Sequence, residues 1–205
     1  MLFRSRTSEA LGLLVNASQL EAPDEKAIYL RNLAWLLCVA GDYEGALEAT
    51  TVGLTLALGG QDRESIIRIH AASLIQLGRT EKARPFVNEG WKLDRGASPE
   101  NYIALFANIG EIEKSSNISK DLRFGLVNHY ALATGYLALK DIDHTFKSIH
   151  AGIENNDQHL LESILVAEWW NPIRDDHRFS EMLDSLDSKV THTQTYLKNF
   201  DPMGR

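Results

Sequence analysis

The residues with chemistry to offer are few and scattered. The only cysteine, Cys38, lies in the apolar run Leu36-Leu37-Cys38-Val39. A nucleophilic thiol needs a cation or a histidine that favours the thiolate. Among leucines, Cys38 reads instead as a buried packing thiol. Seven histidines raise the question of a metal. His144 and His150 are six positions apart, so on a helix they do not share a face. Asp141, Asp143 and His144 cluster, as do Asp175, Asp176 and His177, but each group stands at an expected helix start, where Asp is an ordinary cap. Zinc requires three or four converging ligands, so no metal and no cofactor is expected. Glu168 precedes Trp169 and Trp170, which suits either an acid of raised pKa or a solvated carboxylate beside aromatic core. Phosphate loop, serine elbow and HExxH are all absent from the sequence. With no catalytic constellation to assemble, a non-enzymatic protein is expected.

Composition narrows the rest. The chain has 205 residues, 44% hydrophobic and 24% charged, with a formal net charge of -7. Phosphate backbones are bound by Lys and Arg, so an acidic chain is not expected to contact nucleic acid directly. One cysteine excludes an internal disulfide and fits a reducing cytoplasm. A periplasmic location fits as well, if the parent is a membrane-anchored regulator. The longest apolar run, Leu33–Ala40, is far shorter than a membrane span.

The elements that position these residues are helical. Residues 27–58 read as two helices meeting at Gly41-Asp42-Tyr43. Small residues stand where the helices must approach closely: Ala34 on the first, Ala46 and Gly53 on the second. Leu30, Leu33, Leu37, Leu47 and Leu54 fill the spaces between. Asp24 is the expected N-cap, and Gly59-Gly60 the expected stop. A second hairpin spans about 62–94, capped by Asp62 and turning at Gly78-Arg79-Thr80, with Pro85 one turn inside its second helix. A degenerate third covers about 98–121, opening at Ser98-Pro99 and turning at Gly110-Glu111. The alternative there is one continuous helix over 99–116. A fourth covers about 123–154, turning at Lys140-Asp141-Ile142. Gly53, Gly90 and Gly152 recur at one position of the second helices. Mid-helix glycine costs about 1 kcal/mol against alanine, so close helix packing is the expected reason. Residues 7–20 read as a lone second helix without its first, which predicts either a longer parent protein or self-association through that half repeat.

This pattern resembles the tetratricopeptide repeat, a helical hairpin of about thirty-four residues. The resemblance implies an all-α fold: a right-handed superhelix of hairpins, closed by a C-terminal helical cap over 157–200. In register with that repeat, the first helices turn one stripe toward a concave groove. The stripe is Arg31, Trp35 and Cys38, then Arg68, Ala72 and Ile75, then Tyr130, Thr134 and Leu137. Trp35 and Tyr130 suit anchors for a bound segment, and Arg31 and Arg68 suit bidentate contact with carboxylates. The competing reading is a groove filled by the protein's own C-terminal helix. The lysine–asparagine–lysine clamp of chaperone-binding members is not carried over, because Trp35 stands at the asparagine's place.

The tail reads as a helix over 158–169, a break at Asn171-Pro172 and a helix from about 177 to 198. Pro172, Ile173, Arg174, Arg178, Phe179 and Leu183 resemble the element that closes such arrays in bacterial transcription regulators and adenylate-cyclase-like regulators. The resemblance implies a binding module for a protein or peptide, the sensor or effector region of such a regulator. The alternative is a scaffold or chaperone-like adaptor.

Overall fold

The computed structural model describes residues 23–56, 59–122, 128–184 and 186. Among them every regular element is a helix, as expected. None of these helices is long and apolar enough to cross a membrane. The lone helix proposed for 7–20, the junction at 57–58, the start of the fourth hairpin at 123–127 and the last helix beyond 186 lie outside the described residues.

Four helical hairpins follow one another. The first pairs α1 (Pro23–Ala40) with α2 (Tyr43–Leu56). The second pairs α3 (Gly60–Gln76) with α4 (Thr80–Asp94). The third opens with a 3-10 turn, Pro99–Tyr102, which runs into α5 (Ile103–Asn108) and pairs with α6 (Ile112–Asp121). The fourth pairs α7 (His129–Ala138) with α8 (Ile142–Glu154). The first helices also touch each other in succession, α1 on α3, α3 on α5, α5 on α7.

One turn is used four times. Gly41, Gly78, Gly110 and Lys140 each take a left-handed conformation, with φ of 83°, 69°, 84° and 61°. In each case the residue after it donates its N–H to a carbonyl five positions back: Asp42 to Leu37, Arg79 to Leu74, Glu111 to Phe106, Asp141 to Tyr136. This satisfies carbonyls that the helix end leaves open. Glycine takes such φ without steric cost, which is why three of the four turns carry it. The break at Gly110 overturns the alternative of one helix over 99–116.

One helix start differs from the sequence reading; that of α1, where Asp24 is the expected cap, lies at the edge of the described residues. α3 begins at Gly60, so Asp62 is inside its first turn and its carboxylate pairs with Arg31. Pro85 is accommodated within α4.

The glycines do mark close approach. A β-carbon on Gly53 would stand 3.2 Å from Ile66 Cδ1, one on Gly90 2.6 Å from Tyr102 Oη, and one on Gly152 2.5 Å from Leu160 Cδ2. The second helices of the first, second and fourth pairs therefore nest against the element that follows.

The tail departs from the reading. α9 covers only Gln158–Ser163, capped by Asp157, and a 3-10 helix, Glu168–Ile173, runs straight through Asn171-Pro172. The break lies between them, not at the proline. Its cause is Trp170, which is fully buried and donates its indole N–H to Ser163 Oγ at 3.2 Å. Trp170 packs with Ile149, Leu160, Ile164, Ile173, Phe179 and Met182 in one apolar cluster. Phe179 and Met182 lie in the helix that starts at 177, as expected.

Candidate functional site

The inner stripe of the first helices borders a cavity of about 590 Å³. Pockets for small organic ligands run about 300–1,000 Å³. Of the nine residues read from sequence, eight line this cavity. Trp35 and Cys38 come from α1, Arg68, Ala72 and Ile75 from α3, and Tyr130, Thr134 and Leu137 from α7. Their spacing of three and four keeps each trio on one helix face. Arg31 is the exception. Its guanidinium is held by Asp62 and by Asn32 Oδ1, so it stays with the first turn of α3 and does not reach the cavity.

Two parts of the wall were not named from sequence. Asn101, Leu105 and Asn108 bring the third hairpin to the cavity. They repeat the spacing of Arg31, Trp35 and Cys38, so the signal was present in the degenerate unit. Glu168, Trp169, Asn171 and Pro172 bring in the 3-10 helix of the cap. No periodicity could have placed them, because they lie outside the hairpins.

Aromatic rings form one end of the site. Trp35 meets Tyr130 edge-to-face at 5.2 Å between centroids and His159 at 5.2 Å, with Trp169 6.2 Å away. Such pairs contribute about 0.5–1.5 kcal/mol beyond their burial. The Trp35 indole N–H donates to Glu162 Oε2 at 3.1 Å. Thus Trp35 is partly covered by the protein's own cap, while most of the C-terminal helix of the competing reading lies outside the described residues.

Positioning is local. Asp157 accepts the N–H of Leu160 with one oxygen and that of Tyr130 with the other, at 3.2 and 2.9 Å. One carboxylate thereby caps α9 and fixes the start of α7, from which Tyr130 projects. Burial raises the Tyr130 phenol well above its ordinary value. Burial, then the Glu168 carboxylate, pushes the Tyr43 phenol up to about 12; its hydroxyl donates to Glu168 Oε2 at 3.4 Å. Cys38 is buried, and that burial pushes its thiol up to about 11 despite a contact of 3.1 Å with Ser73 Oγ. It is a neutral wall residue with no depressed pKa that would make it a nucleophile.

Two donors in the wall have room for a partner. Arg68 gives its Nε to Glu64 at 3.2 Å, and its terminal nitrogens have no hydrogen-bond partner among the described residues. The Tyr130 hydroxyl likewise has none among the described residues. The Trp169 indole N–H also lacks a partner among them, but it is shut off from solvent and so does not face the open space.

Asp141 and His144 pair at the start of α8, where Asp141 caps the helix. Asp176 pairs with Arg178 and His177. Neither group gathers three metal-ligating side chains, and no such group occurs among the described residues.

No family model, curated protein or solved structure matches this chain.

Proposed function

We propose that this chain is a tetratricopeptide-like array acting as a non-enzymatic binding module, the sensor or effector region of a bacterial transcriptional or signalling regulator. The ligand, a short peptide segment or a small molecule of similar size, occupies the cavity. The observation that carries the reading is that eight residues of the inward stripe border a single cavity. A sensor needs a ligand site whose occupation changes a contact elsewhere. Here the wall is shared between hairpins far apart in the chain and the cap, so a bound molecule touches both ends of the array at once.

A second reading, a scaffold or adaptor, draws support from the outer helices. Val52 on α2, Leu93 on α4 and Ile112 on α6 are large exposed apolar side chains, one on each of three successive hairpins. That repetition suits a protein surface laid along the outside.

Native mass spectrometry of protein purified from its own cells tests the first reading. A bound mass is expected on the wild type and is absent from the Ala72→Trp variant, which fills the cavity. An identical mass on both, or none on either, overturns it. The adaptor reading predicts instead a partner lost on Val52→Asp and kept on Ala72→Trp.

A further inference from the structure

The cavity wall holds donors with nothing to meet. Arg68 keeps its terminal nitrogens and Tyr130 its hydroxyl without a partner among the described residues. Of the wall's acceptors, Glu168 Oε2 takes a bond from Tyr43, Asn101 Oδ1 one from Asn128, and Asn171 Oδ1 one from Arg174. A ligand acceptor placed on Arg68 gains a charge-assisted bond, which a donor placed there does not.

Charge narrows the choice further. Arg68 and Lys140 are the cations of the wall and Glu168 its one carboxylate. Arg68 already shares its charge with Glu64 behind it. The surplus is small and positive, which suits one negative charge and not two. A guanidinium with free terminal nitrogens matches the planar pair of oxygens of a carboxylate. Around it stand Trp35, Ala72, Ile75, Leu105 and Leu137, which offer an apolar body nothing polar to meet.

We propose that the cavity takes a monocarboxylic acid with an apolar tail, its carboxylate on Arg68 with the Tyr130 hydroxyl as a further donor and its tail among the apolar walls. The inference rests on the binding-module reading of the same cavity and names the ligand's chemical class.

Calorimetry on the full chain at pH 8, with decanoate, decanol and decyl phosphate, tests it. Decanoate should bind at least about tenfold tighter than decanol, the usual scale of a charge-assisted contact, and tighter than decyl phosphate. Arg68→Gln should abolish the preference for decanoate over decanol. Because Arg68 also pairs with Glu64, Tyr130→Phe is the second variant. It keeps the ring and removes only the O–H, and should weaken decanoate several-fold more than decanol. Decanol or decyl phosphate binding as tightly as decanoate, no binding by any of the three, or a preference that survives both variants overturns the proposal. If decanol and decanoate bind equally and both are lost in Ala72→Trp, the acid class falls while the binding module stands. If no probe binds and purified wild type carries no bound mass, both fall.

Discussion

The indole N–H of Trp35 donates to Glu162 across 127 positions of sequence, at 3.1 Å. This contact joins the first hairpin to the cap over the mouth of the cavity. Glu168, against Tyr43 and the turn at Gly41, makes a second such bridge. The first hairpin and the cap thus meet through side chains, while the hairpins between them are joined by packed helices. A half-buried hydrogen bond to a carboxylate is worth about 1 kcal/mol net. A double-mutant cycle with Trp35→Phe and Glu162→Ala, read by urea denaturation, should therefore give a coupling near that size. Additive losses would mean that the cap sits over the cavity without this bond.

The close-approach glycines should differ in a definite order. An added β-carbon on Gly53 meets only the end of the Ile66 side chain at 3.2 Å. On Gly90 it meets Tyr102 Oη at 2.6 Å, and that ring is fully buried with its hydroxyl bonded to Glu64. Alanine gains about 1 kcal/mol of helix propensity over glycine. Gly53→Ala should therefore be close to neutral, while Gly90→Ala loses about 1–3 kcal/mol as overpacking outweighs the gain. Equal melting temperatures for the two variants would contradict the contact between α4 and the third hairpin.

The hairpins were legible because their punctuation is physical. A left-handed residue closes each first helix, and glycine advertises it three times in four; Lys140 hides the fourth, yet Asp141 behind it still reads as a cap. The inward stripe was legible because three- and four-residue spacing puts side chains on one face. Arg31 failed because face is not depth: it sits beside Asp62, and an opposite charge within reach outweighs the register. The cap failed for another reason. Asn171-Pro172 looks like a helix stop, but a 3-10 helix tolerates it, and the real break follows from burying Trp170 against Ser163. That is a tertiary demand that no local pattern states.

His70 sets a pH dependence. It is half-buried in α3, its Nδ1 2.8 Å from the Thr50 hydroxyl and its ring 4.4 Å from Phe86. Burial lowers its pKa below the ordinary 6.5. The unfolded chain then takes up the proton first as pH falls, so the stability tied to neutral His70 is present above about 6.5 and declines below it. Melting temperature should drop between pH 7.5 and 5, and His70→Gln should flatten that drop. Asp176, held near 2 by its bond from Arg178, loses its charge only at much lower pH and does not confuse the window. A wild-type slope equal to that of His70→Gln would remove His70 from the account.

Cys38 offers a direct reading of the cavity wall. It lines the open space, yet it is only 5% exposed and its thiol is raised from 9.0 to about 11. Thiolate is the reactive form. At pH 8 the shift alone lowers the thiolate fraction about 100-fold, and limited access lowers the rate further. N-ethylmaleimide should therefore label native protein at least about 100-fold more slowly than free cysteine, with the rate still climbing beyond pH 10. In urea the difference should vanish, because unfolding removes the burial that causes it. A native rate near that of free cysteine at pH 8 would place Cys38 in an open, solvated wall and undo both the packing of α1 on α3 and the apolar character assigned to the cavity.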